Sequence, residues 1–269
     1  MSYNSANKKI YFISDFHLGA PDAASSLIRE KIIVKFLDEI KNDASEIFLV
    51  GDMFDFWYEY KKVVPKGYTR LLGKLAELSD AGITMHFFAG NHDMWVRDYF
   101  QKELNISVYF EPVSFERNGK SFLIGHGDGL GPGDHGYKRL KKIFRNPVCK
   151  WLFGIFPPVL GLGLANYLSH RSRRITTEET FLGEEKEWLI IYCKEILQKN
   201  FYNYFVFGHR HLPIDFRLAP LSARRGVGGE ASRYINLGDW IKFFTYAVFD
   251  GDKMELKSYT GKEDKIIRQ

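Results

Sequence analysis

The chain has 269 residues, 45% of them apolar and 16% aromatic, which excludes a disordered protein and allows one large buried core. Its net charge is +5, and its two cysteines, Cys149 and Cys193, lie far apart. We therefore expect neither a disulfide framework nor a zinc finger, and we expect a reducing, cytosolic compartment. Residues 1–14 contain no apolar segment before a small-residue cleavage site, so we expect no signal peptide.

Strands and helices alternate along the first part of the chain. The run KIYFIS at 9–14 is typical of a strand, and apolar residues recur at helical spacing over 27–41. A strand at 46–50, a helix near 68–81 and a strand at 83–89 follow. Alternation of this kind predicts an α/β core.

After residue 110 the pattern changes to hairpins. The Asn-Gly pair at 118–119 is typical of a tight turn between two strands, and the Asp-Gly pair at 250–251 of another. The sequence from residue 202 onwards also indicates strands. We therefore predict one domain, residues 1–269, in which two packed sheets are flanked by helices.

The positive charge is concentrated between these two halves. Residues 135–177 contain no Asp or Glu and nine basic residues, which leaves the rest of the chain at a net −4. The nine are Lys138, Arg139, Lys141, Lys142, Arg145, Lys150, Arg171, Arg173 and Arg174. The same segment contains KWLFGIFPPVLGLGLANYL at 150–168, which has no charge after its first residue. We interpret residues 135–177 as an insertion.

Five apolar strands end in a glycine or a sharp turn that is followed by His, Asp or Asn. In chain order these strand-end motifs are Asp15-Phe16-His17, Gly51-Asp52, Gly90-Asn91-His92-Asp93, Gly125-His126-Gly127-Asp128 and Gly208-His209-Arg210-His211. Loops at the carboxyl ends of strands in an α/β sheet meet at one crevice. Glycine lets the backbone turn tightly and bring these side chains over the sheet edge. We expect the five motifs to converge.

The residue types in these motifs point to bound metal. Asp15 and His17 are two residues apart, as are His209 and His211. In an extended strand, side chains two residues apart point to the same face, so each pair could bind one ion. Carboxylates, imidazoles and an amide oxygen, without a thiolate, suit manganese, iron, zinc or magnesium. Asp52 is the best candidate to bridge two cations, which at roughly 3.5–4 Å apart can clamp a phosphoryl group and activate water.

Each motif alone has a simpler interpretation. A single His at a strand end is more often a core or surface residue, and Gly-Asp is usually only a turn. All five motifs in this order, each directly after an apolar run, favour the metal site.

The ordered set DxH, GD, GNHD, GH and GHxH resembles the calcineurin-like metallophosphoesterase superfamily. The resemblance implies a four-layer αββα sandwich of two mixed sheets, and two divalent cations, for which we expect manganese before iron, zinc or magnesium. The implied ligands are Asp15, His17 and His211 for one cation, Asn91, His126 and His209 for the other, and Asp52 as the bridge.

The resemblance also implies roles for two further residues. His92 matches the histidine that contacts the phosphate and helps the leaving group depart, and Asp93 would hold that imidazole in the useful tautomer. Water then attacks phosphorus in line, without a covalent enzyme intermediate, because neither cysteine falls in a strand-end motif.

Finer features resemble one family of that superfamily, the UDP-2,3-diacylglucosamine hydrolases of lipid A biosynthesis. The matching residues are Phe-His-Leu at 16–18, Gly-Asp-Met-Phe-Asp-Phe-Trp at 51–57, His-Gly-Asp at 126–128, and Asp134, Gly136 and Tyr137. That family has an inserted helical cap for acyl chains and cleaves the substrate pyrophosphate to UMP and 2,3-diacylglucosamine 1-phosphate (lipid X). We expect this reaction here, with Asp134, Ser172 and Arg173 as substrate contacts and with Asp55 and Trp57 as structural residues.

Two alternatives stay open. The best-known branch of the family has Arg where this chain has His92, which leaves room for another nucleotide-linked or lipid phosphoester as the substrate. A non-catalytic scaffold of the same fold is the second alternative, although such scaffolds usually lack ligands or the catalytic histidine.

The apolar run at 150–168 has the length of a membrane span. A single crossing there would separate His209 from Asp15, which must meet, and Pro157-Pro158 would interrupt the helix. We therefore predict a helical lid over residues 135–177, with Trp151, Phe153 and Phe156 at a lipid boundary. Packing within the lid is the alternative for part of these residues.

Basic residues on both sides of an apolar run are typical of a segment at a membrane interface. We expect a nucleotide-linked glycolipid substrate and peripheral association with anionic lipid on the cytoplasmic face of the inner membrane. Nucleic acid is a weaker interpretation of the charge, because the aromatic residues are bunched rather than interleaved with basic ones. We expect no nucleic acid and no obligate protein partner.

Overall fold

The computed structural model describes residues 8–133, 135–155, 157, 163, 180–219 and 231–269. The strands of this part are β1 (Lys9–Ile13), β2 (Ala44–Leu49), β3 (Thr84–Phe88), β4 (Ser107–Tyr109), β5 (Val113–Arg117), β6 (Lys120–Gly125), β7 (Tyr204–Phe207), β8 (Pro213–Leu218), β9 (Ser232–Leu237), β10 (Thr245–Phe249), β11 (Met254–Ser258) and β12 (Ile267–Arg268). Its α-helices are α1 (Ala23–Ile40), α2 (Thr69–Asp80), α3 (Tyr99–Leu104), α4 (His135–Arg145), α5 (Pro147–Ile155) and α6 (Trp188–Leu197).

The strands form two mixed six-stranded sheets. The first has the order β11-β10-β1-β2-β3-β4, in which β1 to β4 are parallel and β10 and β11 are antiparallel additions. The second has the order β12-β8-β9-β7-β6-β5, with parallel β9, β7 and β6 at its centre. The carboxyl ends of β1, β2 and β3 therefore lie side by side, as do those of β6 and β7.

Side chains that alternate across the first sheet define the layers. Ile10 and Phe12 of β1 enter a core that also receives Phe122 of the second sheet. Tyr11 and Ile13 face the other way and pack with residues of α1, α2 and α3. The outer face of the second sheet packs against α6. The layer order of helix, sheet, sheet and helix confirms the predicted αββα sandwich.

Local sequence signals explain three of the element boundaries. The Asp22 carboxylate accepts the N–H groups of Ala24 and Ser25 at 2.9 Å each, so α1 begins before the apolar periodicity does. The predicted Asn-Gly turn is confirmed, because Arg117 pairs with Lys120 across it. The Asp-Gly turn at 250–251 joins β10 and β11 as predicted.

The inserted segment begins with the helices α4 and α5. Most of its remaining residues lie outside the described part of the chain, so a lid over 135–177 stays a prediction. Asp134, Phe156, Ser172 and Arg173 also lie outside the described residues. Across the described ranges, no helix combines the length and the apolar character that crossing a membrane would require.

A charged cluster joins the two sheets. Glu46 of β2 is buried, lies 2.7 Å from His86 Nε2, and accepts two hydrogen bonds from the Arg117 guanidinium at 2.6 and 2.8 Å. Burial would raise the pKa of Glu46, but the hydrogen bonds from Arg117 and His86 outweigh it and lower the pKa to about 2. The ionised carboxylate therefore stabilises the folded protein.

Replacing Glu46 by Gln should destabilise the protein by about 1–3 kcal/mol at pH 7, because Arg117 loses its charged partner. The folded-state pKa of about 2 is below the ordinary value of 4.5, so the wild-type advantage is complete above pH 4.5 and is lost as the pH falls through about 2. Urea unfolding of both proteins at pH 7 and pH 3 measures this. The matched control is Glu255, whose half-exposed side chain pairs with Lys257, and its replacement by Gln should change stability by less than about 0.5 kcal/mol. An E46Q effect of equal size at both pH values would contradict the prediction.

Candidate metal centre

The strand-end motifs meet between the two sheets. The Asp15 N–H donates to the Gly51 carbonyl at 3.0 Å and the His17 N–H to the Asp52 carbonyl at 2.9 Å, so the loops after β1 and β2 run side by side. The His209 N–H, after β7 of the second sheet, donates to Asp15 Oδ2 at 3.1 Å. The predicted convergence is confirmed.

The first donor group consists of Asp15, His17, Asp52 and His211. The Nε2 atoms of His17 and His211 are 3.1 Å apart. Asp15 Oδ1 lies 3.6 Å from His17 Nε2 and 3.3 Å from His211 Nε2. Asp52 Oδ2 lies 3.6 Å from His17 Nε2. Two carboxylates and two imidazoles therefore face one small volume.

The second donor group consists of Asp52, His126 and His209, with Asn91 beside it. Asp52 Oδ2 and Asn91 Oδ1 each lie 3.2 Å from His126 Nε2. The ring centroids of His126 and His209 are 5.2 Å apart. Asp52 belongs to both groups, which is the position expected of a bridging carboxylate.

Much of this geometry depends on left-handed backbone. The described part of the chain has nine non-glycine residues with positive φ, and five of them are predicted ligands. These are Asp15 (55°), His17 (44°), Asp52 (55°), His209 (66°) and His211 (57°). Residues with a Cβ populate this region sparsely, and backbone strain of this kind clusters at functional sites.

The left-handed backbone corrects one sequence expectation. The argument that i and i+2 side chains leave an extended strand on one side is wrong for Asp15, His17, His209 and His211. Asp15 and His17 still reach the same donor group, but His209 and His211 reach different groups. Sharp turns, rather than the pleat of a strand, aim these side chains.

Two glycines allow the loops to approach this closely. A Cβ on Gly90 would overlap Oδ1 and the backbone N of Asp52, and a Cβ on Gly208 would lie 2.5 Å from Asp15 Oδ2. Gly90 and Gly208 are therefore required for the close approach of a carboxylate.

The carboxylates and imidazoles shift one another's pKa values. Burial would raise the pKa of Asp52, but the neighbouring imidazoles, His126 foremost, hold it well below its ordinary value. Burial would lower the pKa of His126, but Asp52 raises it to about 10. The pKa of His17 rises to about 9 against the effect of burial, through Asp15 first. The buried carboxylates therefore create a field that favours positive charge.

The donor atoms fit divalent cations. Asp15 Oδ1 and Asp52 Oδ2 are buried and have no hydrogen-bond partner, a costly condition that a bound cation would relieve. Oxygen and imidazole donors without a thiolate suit manganese, iron, zinc or magnesium. Both donor groups therefore have the composition and the charge of a metal site.

Comparison with known proteins identifies the family. The sequence model of the calcineurin-like phosphoesterase family matches residues 8–213, which include all five strand-end motifs. The chain belongs to the calcineurin-like phosphoesterase family. This confirms the resemblance inferred from the motifs.

Two curated relatives of this phosphoesterase cover most of its length. A UDP-2,3-diacylglucosamine hydrolase of Porphyromonas gingivalis is 39% identical over 95% of this chain and 99% of that protein. One from Pseudomonas paraeruginosa is 26% identical over 86% of this chain and 90% of that protein. Among solved structures, the phosphoesterase Yfce from E. coli is 15% identical, covers 96% of both chains and has a TM-score of 0.45. That structural likeness is too remote to bear on function.

His92 of the phosphoesterase lies beside the first donor group. Its ring meets the His17 ring edge-on, with 4.7 Å between centroids. Its Nδ1 lies 2.9 Å from the Asp55 carbonyl oxygen and 3.6 Å from Asp55 Oδ1. Asp55, which we expected to be structural, therefore orients His92.

Asp93 has a different role from the one expected. Its carboxylate accepts the N–H groups of Gly90 and Met53 at 2.7 and 2.8 Å, so it joins the loops after β2 and β3. Burial, followed by the charge of Asp52, raises its pKa to about 7. The expectation that Asp93 sets the tautomer of His92 is wrong, because the Asp55 carbonyl contacts that Nδ1.

Helix α4 is tied to the loop after β6. The Tyr137 hydroxyl donates to Asp128 Oδ2 at 2.6 Å, and Lys141 Nζ lies 2.6 Å from the same oxygen. Asp128 follows His126 by two residues. The start of the inserted segment is therefore held next to the second donor group.

Helix α5 has apolar side chains on two faces. Phe153 packs on Tyr58 and Trp95, with 4.9 and 4.6 Å between ring centroids. The Tyr58 hydroxyl donates to the Lys150 carbonyl at 2.7 Å. Trp151 is 64% exposed. Phe153 therefore attaches the helix to the domain, contrary to its expected place at a lipid boundary, whereas Trp151 faces outward.

Sequence reasoning missed two residues that shape the centre. Arg29 of α1 is buried and donates to the carbonyls of Phe16, His17 and Ala20, which fixes the loop that carries the first motif. No local pattern marks it. Asp239 lies 3.3 Å from His211 Nδ1 and follows an apolar strand and a glycine, the same signal as in the five motifs.

Gly90→Ala should reduce hydrolysis of a chromogenic phosphodiester, assayed with added divalent cation, by about 100-fold, because the new Cβ displaces Asp52. The amount of divalent metal retained after dialysis should fall as well. The matched control is Gly73→Ala in α2, where an added Cβ meets nothing within 4 Å. That variant should keep full activity and gain up to about 1 kcal/mol of stability. Full activity in Gly90→Ala would show that Asp52 tolerates the displacement.

Proposed function

We propose that this phosphoesterase hydrolyses the pyrophosphate of UDP-2,3-diacylglucosamine to UMP and 2,3-diacylglucosamine 1-phosphate. The observation that carries the proposal is the pair of donor groups that share Asp52. These donor groups lie beside helix α4, which exposes basic and apolar side chains. The name of the Porphyromonas gingivalis relative, which matches nearly the whole chain, supports this choice of substrate.

The seven convergent side chains would hold two divalent cations. We assign Asp15, His17 and His211 to one cation, Asn91, His126 and His209 to the other, and Asp52 to both. We propose manganese as the native metal, with iron, zinc or magnesium as alternatives. When bound, such a pair stabilises negative charge on phosphorus oxygens and lowers the pKa of water to near neutrality.

His92 supplies the chemistry that the metal ligands do not. The Asp55 carbonyl contacts Nδ1, so Nε2 is the ring atom that we assign to the phosphate and the leaving oxygen. A fixed ring has little orientational freedom to lose when the substrate binds. Asp93 accepts the N–H groups of Gly90 and Met53, so we assign it a structural role in place of a catalytic one.

The surface of α4 and α5 suits a lipid-linked substrate. Its exposed lysine, arginine and large apolar residues are Arg139, Leu140, Lys142, Ile143, Val148, Trp151, Leu152 and Ile155. Apolar side chains of this kind can cover acyl chains, while the basic ones attract phosphate or anionic headgroups. We infer that this surface binds the acyl chains and brings the enzyme to the cytoplasmic face of the inner membrane as a peripheral protein. Asp134, Ser172 and Arg173 remain proposed substrate contacts.

A second candidate substrate follows from His92. The best-known branch of the hydrolase family has Arg at this position, and a histidine there favours the wider superfamily's phosphoesters. Another nucleotide-linked or lipid phosphoester is therefore the alternative. A non-catalytic scaffold is disfavoured, because all seven ligand positions and His92 carry donor side chains.

Turnover of UDP-2,3-diacylglucosamine and of its deacylated form, with manganese present, tests the proposed function. We expect kcat/KM to be at least about 10-fold higher for the acylated substrate, since burial of acyl carbons adds binding free energy. Asp52→Ala should lose both activity and bound manganese. Equal rates on the two substrates would favour the alternative phosphoester, and a wild-type protein without bound metal or hydrolysis would favour the scaffold.

Trp151→Asp should lower kcat/KM for the acylated substrate by about 10–30-fold, because a large apolar contact is replaced by a charge. Hydrolysis of a small chromogenic phosphodiester should stay within about twofold of wild type. Phe201→Asp is the matched control, since Phe201 is also an exposed aromatic, lies before β7 and is 52% exposed. Loss of both activities in Trp151→Asp alone would mean that Trp151 supports the fold instead.

A further inference from the structure

A sixth strand end reaches the metal centre. Strand β9 ends at Leu237 and is followed by Gly238 and Asp239, the same order of apolar strand, glycine and carboxylate as after β2. The Asn236 side chain donates to the Gly208 carbonyl at 2.6 Å, so the end of β9 lies against the motif that carries His211. This segment lies beyond residue 213, where the family match ends.

The carboxylate of Asp239 is held rigidly. Its Oδ1 accepts the N–H groups of Ile241, Lys242 and Phe243 at 3.1, 2.7 and 3.1 Å. Its Oδ2 lies 3.3 Å from Nδ1 of His211. Asp239 is 5% exposed, so little water competes for these contacts. One oxygen is therefore fixed by the loop and the other is presented to the imidazole.

The contact with Asp239 determines which nitrogen of His211 carries the proton. A carboxylate accepts hydrogen bonds, so in the neutral His211 imidazole Nδ1 is the donor to Asp239 and Nε2 keeps its lone pair. Asp15 Oδ1, although near Nε2, makes no hydrogen bond to any described residue and so does not compete for that proton. That Nε2 is the atom that lies 3.3 Å from Asp15 Oδ1 and 3.1 Å from His17 Nε2. The His211 side chain is 34% exposed, so without a partner on Nδ1 its ring would be free to turn.

Two other ligand imidazoles, those of His126 and His17, have no carboxylate of the described residues within hydrogen-bond distance of Nδ1. His126 Nδ1 lies 3.0 Å from the neutral carbonyl of Val50. His17 Nδ1 lies 3.8 Å from Asp55 Oδ1, which is beyond hydrogen-bond distance. A carboxylate behind a ligating imidazole fixes its tautomer and makes it a better donor. The Nδ1 of His211, at 3.3 Å from Asp239, is closer to a carboxylate than the Nδ1 of His17, at 3.8 Å from Asp55.

We propose that Asp239 is a positioning residue that fixes His211 as an Nε2 donor and thereby sets the affinity of the first donor group for its cation. The inference rests on the proposed function, since it requires His211 to be a metal ligand. A purely structural role is the competing explanation, because the same loop also carries Trp240, whose backbone N–H donates to the Asp15 carbonyl at 3.1 Å.

Asp239→Asn separates the two roles. The amide oxygen must stay with the three backbone N–H groups, because an amide nitrogen cannot accept them. The amide nitrogen then faces His211 Nδ1 as a donor, which moves the imidazole proton to Nε2 and blocks ligation. The matched control is Asp250→Asn, since Asp250 also accepts two turn N–H groups, at 3.0 and 2.9 Å.

Manganese binding to the full-length protein, followed by calorimetry and by electron paramagnetic resonance, tests the proposal. We expect Asp239→Asn to weaken the first donor group by about 10–100-fold and to leave the second unchanged, and Asp250→Asn to bind like wild type. Long-range ¹H–¹⁵N spectra of the metal-free wild-type protein should show His211 protonated at Nδ1. Unchanged manganese affinity in Asp239→Asn, or an Nε2-protonated His211 in the wild type, would overturn the proposal. The spectrum needs no variant, so it decides the question even if Asp239→Asn does not fold.

The variant His211→Ala shows whether the positioning role of Asp239 or the proposed metal-ligand set is at fault. If His211→Ala loses affinity for one manganese ion and Asp239→Asn does not, the ligand assignment stands and only the positioning role is wrong. If His211→Ala binds manganese like wild type, the ligand set itself is wrong.

Discussion

The arrangement of this protein depends on one buried carboxylate that faces two donor groups. Asp52 Oδ2 lies 3.6 Å from His17 Nε2 and 3.2 Å from His126 Nε2. Its Oδ1 accepts the backbone N–H of His92 at 2.9 Å. These contacts involve both sheets, so the packing of one sheet on the other determines the geometry around Asp52. The aromatic core between the sheets is therefore part of the site's construction.

The loops around Asp52 are held by buried ionisable side chains that bind backbone groups. Asp93 accepts N–H groups from the loops after β2 and β3, and Arg29 donates to carbonyls of the loop after β1. Backbone groups at such turns cannot be satisfied by a sheet ladder, and burial makes each unpaired group costly. Asp93 and Arg29 thus hold the loops in the conformation that brings the two donor groups together.

The sequence predicted the layers and the convergence of the motifs because both follow from local signals. Apolar runs such as 9–14 mark buried strands, and glycine followed by Asp or His marks their ends. The partner of His92 was not predictable, since the Asp55 carbonyl reaches it through tertiary packing and Asp93 is merely adjacent in sequence. The direction of His209 and His211 was misjudged because their φ angles are set by the turn. Asp239 carried a readable signal, but it lay outside the ordered set of motifs.

The left-handed ligands have a thermodynamic consequence for the whole chain. Strain of this kind costs on the order of 1–3 kcal/mol for each residue, so five such positions together approach the net stability of a typical domain. Glycine at the same five points would relieve the strain without disturbing either sheet. Aspartate and histidine there are favourable only when their side chains bind a ligand strongly enough to offset that strain. The backbone itself therefore indicates that these five side chains bind a ligand and do more than support the fold.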